Sequence, residues 1–303
     1  MSTWAVTGAS GFLGPNAGLF LRERAPAVGF SRRANASTPF STSIELDLRE
    51  STQLSAQIRA ISPSVIFHGA AIAGHETAAN DPKQAHDVNV LATEVLARTA
   101  SDIGARMIYI STDALFSCKH GNYKETDPVE PFSIYGETKL EGEERVRSSL
   151  GDHLIVRTNF FGWSETGTKS ILEFFVNAMR VQHNISGYPD FIVTSIYVQH
   201  LLSAIYKLNA IGASGTVNVA SSNALSKFDF GLTVGEVFGL QSSCIEQVAT
   251  SSATYAVSRS RDLSLNTHKA ASLLGEDLPT QQQGVKQALI DEETIPQAIR
   301  SEA

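Results

Sequence analysis

The first fourteen residues constrain this chain more than any other stretch. Residues 3–7, TWAVT, read as a short apolar strand. Gly8-Ala-Ser-Gly11-Phe-Leu-Gly14 follows at once and opens a helix expected to run to about Arg24. A G-x-x-G-x-x-G spacing between a strand and a helix is a variant of the dinucleotide-binding fingerprint. Gly8 allows the tight turn, Gly11 lets the backbone approach a pyrophosphate at the helix N-terminus, and Gly14 lets the helix pack closely on the strand. Ser10, Phe12 and Leu13 lie in the same loop and join these glycines as cofactor-binding candidates. Pro15 falls in the first helical turn, where a missing N–H is best tolerated.

Strand and helix patterns then alternate. Residues 27–30 form a second strand whose tip reads Ser31-Arg32-Arg33. An acid at this tip binds the ribose 2′-hydroxyl of NAD, whereas arginine accommodates a 2′-phosphate. No Asp or Glu is available there, so the expected cofactor is NADP(H). Residues 43–46 make a third strand ending at Asp47-Leu48, positioned to border the adenine, and a helix is expected over about 51–61. A buried strand over 64–68 ends in His68-Gly69-Ala70-Ala71, small residues that let a cofactor lie against the strand end, and Ile72 follows as a substrate candidate. His68 reads as structural. A long helix from about Asp81 to Ile103 carries Asn89 among Val88, Val90 and Leu91. Asn89 is a cofactor-side candidate that either braces the active-site helices or a water, or is a satisfied core amide. The strand over 106–110 delivers Ser111-Thr112-Asp113 to the carboxyl edge. Such alternation argues an α/β fold with a doubly wound parallel sheet, in which ligands bind beyond the carboxyl ends of the strands.

Twenty-three residues after Thr112 stands Tyr135, and Lys139 follows it by four, about one helical turn. The two side chains share a helix face. A phenol of pKa near ~10 is a poor acid–base catalyst at neutral pH, and a lysine ammonium beneath it is expected to lower that value. Thr112 offers a hydroxyl to the same substrate oxygen that Tyr135 protonates. The trio suits carbonyl reduction or its reverse. Tyr135 and Lys139 also count as cofactor contacts, and Ile72, Asp113, Phe160 and Phe161 join Thr112 as substrate candidates.

The helix beyond Lys139 runs to about Ser149 and is rich in Glu and Arg, which reads as a solvated outer face. A sixth strand over 153–156 leads into Arg157-Thr-Asn-Phe-Phe-Gly-Trp163. Its aromatics are expected either to line a substrate pocket or to form the hinge core between lobes. The alternation then loosens: helices over about 169–182, 198–209 and 226–238, an extended segment at 190–194 and a strand at 216–219. The expected organisation is a Rossmann cofactor-binding domain over 1–160 and a smaller mixed substrate-binding lobe over 161–303, interleaved, with elements near 190–222 returning to the first.

With 303 residues, 42% of them hydrophobic, the chain can bury a large core. A net charge of −7 and the lack of a basic block exclude an obvious nucleic-acid partner. Two cysteines, Cys118 and Cys244, do not make a disulfide scaffold and fit a reducing compartment. No apolar run approaches the ~18 residues of a membrane span, and the first strand begins too early to leave room for a signal peptide. A cytoplasmic monomer or homodimer acting on a small molecule is expected, without a metal.

At this point the sequence resembles the extended short-chain dehydrogenase/reductase family, and within it the dTDP-4-dehydrorhamnose reductases and their relatives. The likeness is carried by TGASGFLG, HGAA, STDALF, NYKETDPVEPFSIYGETKLEGE, VRTNFFGW and SRDLSLNT, which together span nearly the whole chain. It implies a catalytic trio of Thr112, Tyr135 and Lys139, an NAD(P)-binding Rossmann domain, and a C-terminal lobe for a sugar nucleotide. Ala114, Phe160 and Ser260 depart from the family pattern, which typically has Tyr, Trp and Pro there. These residues shape the sugar pocket, so the resemblance implies a reaction class rather than one sugar. The function expected is reduction of a 4-keto sugar nucleotide or related ketone by NADPH. The alternatives are an epimerase or dehydratase that retains NAD, or a regulatory NADP-binding subunit on the same scaffold. An acid at the tip of strand two would favour NAD retention. A dehydratase needs an acid pair near Thr112, where only Asp113 stands.

Overall fold

Seven strands lie parallel in one sheet: β1 (Trp4–Thr7), β2 (Ala27–Ser31), β3 (Thr42–Glu45), β4 (Val65–His68), β5 (Arg106–Thr112), β6 (His153–Thr158) and, far along the chain, Gly215–Asn218. This computed structural model describes residues 3–32, 39–117, 120–249 and 261–299. The spatial order runs from the late strand through β6, β5, β4 and β1 to β2 and β3. The chain therefore winds outward from β1 in both directions, and the switch point falls between β1 and β4. This is the doubly wound, Rossmann-like α/β fold that the alternation predicts.

Side chains alternate across the strands, as a pleat requires. Trp4 and Val6 pack in one layer with Leu13, Phe67, Ile108 and Leu154. Ala5, Ile66, Met107, Tyr109 and Ile155 pack in the other with Leu54, Leu96 and Val146. The first layer is covered by α1 (Leu13–Leu21) and a late helix, Val198–Ala210, whose Tyr206 stacks on Trp4 with ring centroids 6.1 Å apart. The second is covered by α2 (Ser51–Ile61), Ala92–Ile103 and Ile134–Ser149. Burial on both faces explains why these strands read as near-continuous apolar runs.

The long helix expected over about 81–103 is continuous from Pro82 to Ile103, as α4 (Pro82–His86), a wide π-type turn at Asp87–Leu91 and α5 (Ala92–Ile103), with the short α3 (His75–Asn80) before it. The π turn contains Asn89, and such turns recur at functional sites. The next helix is α6 (Ile134–Ser149), capped by Ser133, whose hydroxyl accepts from the Gly136 N–H at 3.2 Å.

After β6 come β7 (Phe160–Phe161), α7 (Ile171–Arg180), β8 (Ile185–Gly187), β9 (Phe191–Val193), β10 (Ile196–Tyr197), α8 (Val198–Ala210) and β11 (Gly215–Asn218), the strand that rejoins the main sheet beside β6. The remainder comprises β12 (Leu225–Ser226), α9 (Lys227–Phe238), β13 (Ile245–Gln247), β14 (Arg261–Asp262), α10 (His268–Leu274), α11 (Gln281–Ile290) and α12 (Thr294–Ile299). Small two- and three-stranded sheets link β7 with β10, β8 with β13, and β9 with β12 and β14. They lie on the side of the main sheet to which β5 and β6 deliver their carboxyl ends. Among the described residues, no helix is long and apolar enough to cross a membrane, and no His, Cys, Asp and Glu group has the makings of a metal site.

Candidate active site

The glycine loop is built by contact. Gly8 takes φ +77°, and the Gly11 N–H donates to its carbonyl at 2.9 Å. A Cβ on Gly14 would stand 2.1 Å from the Gly8 carbonyl oxygen, so only glycine lets α1 start this close to β1. Gly14 is buried and shapes the loop from behind. Gly8, Ser10, Gly11, Phe12 and Leu13 line a cleft of about 610 Å³ beyond the strand ends. Ser31 and Arg32 from the tip of β2, Asp47 and Leu48 after β3, and Gly69, Ala70, Ala71 and Ile72 after β4 line it too. Arg33 lies outside the described residues. Asp47 is engaged by Arg49, whose guanidinium donates to both carboxylate oxygens. This pairing holds its carboxyl below the usual range.

Two polar networks hold the wall of this cleft. Asn89 accepts from the Ile72 N–H at 2.8 Å and donates both to the Ile72 carbonyl at 3.2 Å and to the Thr138 hydroxyl at 3.0 Å. It reaches no cleft surface. Asn89 therefore braces the loop after β4 against α6, and the π turn aims its amide. His68 bridges Thr7 at 2.6 Å through Nδ1 and Thr93 at 2.9 Å through Nε2. The Thr93 hydroxyl donates to the Asn89 carbonyl, so it accepts from His68, which is the neutral Nε2–H tautomer. Burial and the nearby Lys139 push its pKa down to about 3. The ring is structural, as its sequence context predicts.

The trio comes from two elements, and none of its members is among the residues that line this cleft. Thr112 ends β5 and Tyr135 and Lys139 lie on α6. A Cβ on Gly136 would stand 2.4 Å from the Ala114 carbonyl oxygen, so the glycine after Tyr135 lets α6 touch the turn after β5. The Thr112 side chain lies near the Tyr135 hydroxyl and works to lower its pKa. Tyr135 is half-buried, and its ring meets His75 edge-on at 5.9 Å. The expected lowering of its pKa by Lys139 is not found. Burial pushes the Tyr135 hydroxyl up to about 12, against the effect of Thr112 and with the nearby Asp113 adding to the rise. Lys139 is 2% exposed, with its ammonium 3.9 Å from the centre of the Tyr109 ring. Burial pulls it down to about 7, which weakens the charge that was to act on the tyrosine.

Beneath the trio lies a charge cluster that contradicts the expected solvated face of α6. Glu143, one turn beyond Lys139, is fully buried. It accepts from Arg157 at 3.0 and 2.8 Å, from Ser111 at 2.6 Å, and from Arg147. Burial works to raise its pKa, but the hydrogen bonds and charge of Arg157, with Ser111 and Arg147, leave it below the usual value. Glu143 in turn favours the charged form of Lys139. The i+4 spacing from Lys139 was its one sequence signal.

Asp113 is buried and accepts from Thr112 at 3.1 Å and from Asn159 at 2.8 Å, and Asn159 accepts from Ser195 at 2.5 Å. Burial raises its pKa to about 6 despite these bonds. Asn159 and Ser195 come from the segments before β7 and β10, too far along the chain for any spacing to reveal them. The aromatics divide. Phe160 lines the cleft, 5.4 Å from the Phe12 ring. Phe161 is wholly buried between Tyr197 and Phe230, at 5.8 and 5.0 Å, and is not among the residues that line the cleft. Trp163 is core as well, its indole N–H donating to the Ala288 carbonyl at 2.8 Å. Strand alternation decides this: consecutive residues in β7 point to opposite sides. The substrate candidacy of Phe161 therefore gives way to the hinge-core reading.

Residues 3–294 match the family model described as the RmlD substrate binding domain. The chain belongs to that family. A probable low-salt glycan biosynthesis reductase of Haloferax volcanii is 27% identical across 91% of this chain and 93% of its own length. The methionine adenosyltransferase 2 subunit beta of Pongo abelii is 28% identical across 94% and 86%. The fold is shared with a dTDP-4-dehydrorhamnose reductase from Bacillus anthracis, solved in complex with NADP. That structure has a TM-score of 0.86 and 24% identity, and the match covers 96% of this chain and 99% of that one.

Proposed function

We propose that this chain reduces the keto group of a 4-keto sugar nucleotide, or a related ketone, using NADPH. The observation that carries the reading is the pairing of Thr112 at the end of β5 with Tyr135 and a buried Lys139 on α6, in a fold whose glycine-walled cleft runs from the glycine loop to Arg32. The residues present fit a dinucleotide: the cradle between Gly8 and Gly14 leaves no room for a Cβ, and a basic side chain, not an acid, closes β2. Bound NADPH supplies the hydride. Tyr135 holds the proton for the carbonyl oxygen, and Thr112 orients that oxygen by hydrogen bond. A phenol held near 12 keeps its proton at neutral pH and so stands in the donor form that carbonyl reduction needs. Lys139 anchors cofactor hydroxyls from the buried side and regains full charge where hydrogen-bond acceptors surround it.

The same reading assigns cofactor binding to residues 1–160 with elements from 190–222, and the sugar nucleotide to the rest. The reductase relatives support it, and the regulatory likeness of the adenosyltransferase subunit is set against it by the complete trio. The test is to offer NADPH and a panel of nucleotide-linked 4-keto sugars and to follow NADPH consumption together with the sugar product. Steady NADPH consumption with a reduced sugar is expected. Tight NADPH binding without turnover on any of them defeats the enzymatic reading.

Cofactor choice is tested separately. Arg32 is exposed at the cleft rim, where a 2′-phosphate brings up to two negative charges. Hydrogen bonds to charged groups contribute roughly 1.5–3 kcal/mol, so Arg32→Ala is expected to weaken NADPH about ten- to a hundredfold. NADH, lacking the phosphate, should hardly change. Equal titration midpoints for NADPH and NADH in the unmodified protein contradict the 2′-phosphate role.

A further inference from the structure

The loop between β7 and α7 has no part in the reading above, yet several hydrogen bonds tie it down. The Glu173 carboxylate, 1% exposed, accepts from the Ser164 N–H at 2.5 Å, the Ser164 hydroxyl at 2.8 Å, the Lys169 N–H at 2.8 Å and the Ser170 N–H at 3.1 Å. The Ser170 hydroxyl closes the loop on the Gly162 carbonyl at 2.5 Å. The loop base is fastened to α1, since the fully buried Asn16 donates to the Trp163 carbonyl at 3.0 Å. One side chain of this loop, Lys169, reaches the 610 Å³ cleft. Among the described residues, its ammonium makes no ion pair or hydrogen bond with the protein. The cleft's other lining cation, Arg32, stands at the β2 end, and its one lining acid, Asp47, is already engaged by Arg49. A buried carboxylate thus holds a loop whose lysine reaches the cleft that the glycine loop also lines.

We infer that Lys169 binds the pyrophosphate of the bound dinucleotide, closing the C-terminal part of the chain over the glycine loop. This rests on the proposed dinucleotide reading. The glycine loop provides backbone N–H donors for an anion but no charge. In a chain of net charge −7, Lys169 supplies the full positive charge that the loop lacks. Because the backbone on either side is fixed, little ordering is lost on binding. A diphosphate could also arrive on the substrate, so the test separates the two.

NADPH, NADH and the free nucleotide diphosphates dTDP and UDP are titrated calorimetrically into the unmodified protein, Lys169→Met and Lys169→Arg. The Lys169 side chain is exposed and ties no part of the fold, so both variants are expected to fold. Lys169→Met should weaken NADPH and NADH alike, by about tenfold or more, and flatten the salt dependence of both. Lys169→Arg should retain most of the affinity. This pattern differs from that of Arg32→Ala, which spares NADH. Unchanged binding of both dinucleotides to Lys169→Met overturns the assignment while leaving the proposed function standing. A loss confined to dTDP or UDP reassigns Lys169 to the substrate diphosphate and also overturns it. If the unmodified protein binds neither dinucleotide, the inference falls together with the functional reading.

Discussion

Tyr135→Phe is expected to lower turnover by about two to four orders of magnitude, the usual contribution of a general acid. The change removes one oxygen and keeps the ring that packs edge-on against His75. Thr112 retains its bonds to Asp113 and to the Ala114 N–H, so the turn after β5 should stay in place. Cofactor affinity should therefore shift little, and the loss should fall on the chemical step. Single-turnover kinetics at saturating NADPH, set beside a cofactor titration, separate the two. Because burial holds the phenol near 12, the unmodified enzyme should show no fall in reduction rate from tyrosine ionisation up to about pH 10. Undiminished turnover in the Phe variant would falsify the proton-donor role.

The second large effect is on stability. Arg157→Met removes the partner of a carboxylate that is shut away from water. Breaking a buried pair from one side typically destabilises by about 3–5 kcal/mol, because the remaining charge is left uncompensated. Ser111 still donates to Glu143, and Arg147 remains one turn away, so the lower half of that range is expected. The pH dependence carries a sign. The folded-state pKa of Glu143 lies below its unfolded value, so its contribution is fully present above the unfolded pKa, near ~4.3. It is lost as pH falls through the folded-state value. In Arg157→Met, burial no longer meets opposition from that guanidinium, and the Glu143 pKa should rise. The variant's deficit should then be greatest near neutrality and shrink on acidification. Urea unfolding at several pH values reads this directly. An equal deficit at every pH, or none at all, contradicts the account. Since Glu143 also favours charged Lys139, the variant links the stability of α6 to the electrostatics of the site.

What each level of description could reveal follows from the range of the forces involved. The glycine loop, the strand–helix alternation and the Tyr135–Lys139 spacing are local patterns. Backbone sterics, pleat alternation and the 3.6-residue turn act within a few residues, and a single sequence carries them in full. From these the doubly wound sheet, its ligand-bearing edge and the cluster of Thr112 with Tyr135 were legible. The burial of Glu143 was not, because a Glu amid Glu and Arg on a helix reads as solvated until β6 brings Arg157 beneath it. Phe160 and Phe161 are chemically alike, and only the pairing of β7 with β10 decides that one faces the cleft and the other the core. The titration of Tyr135 turned the other way for the same reason: an i+4 lysine is a local fact, but desolvation is a sum over everything packed around the hydroxyl. Lys169 had no local signal at all. Its place at the cleft depends on Glu173 folding its loop and on Asn16 anchoring that loop from a helix 147 residues earlier. Local geometry wrote the scaffold and the reacting groups into the sequence. Burial and long-range pairing, which exist only once the chain has closed on itself, decided their charges and their neighbours.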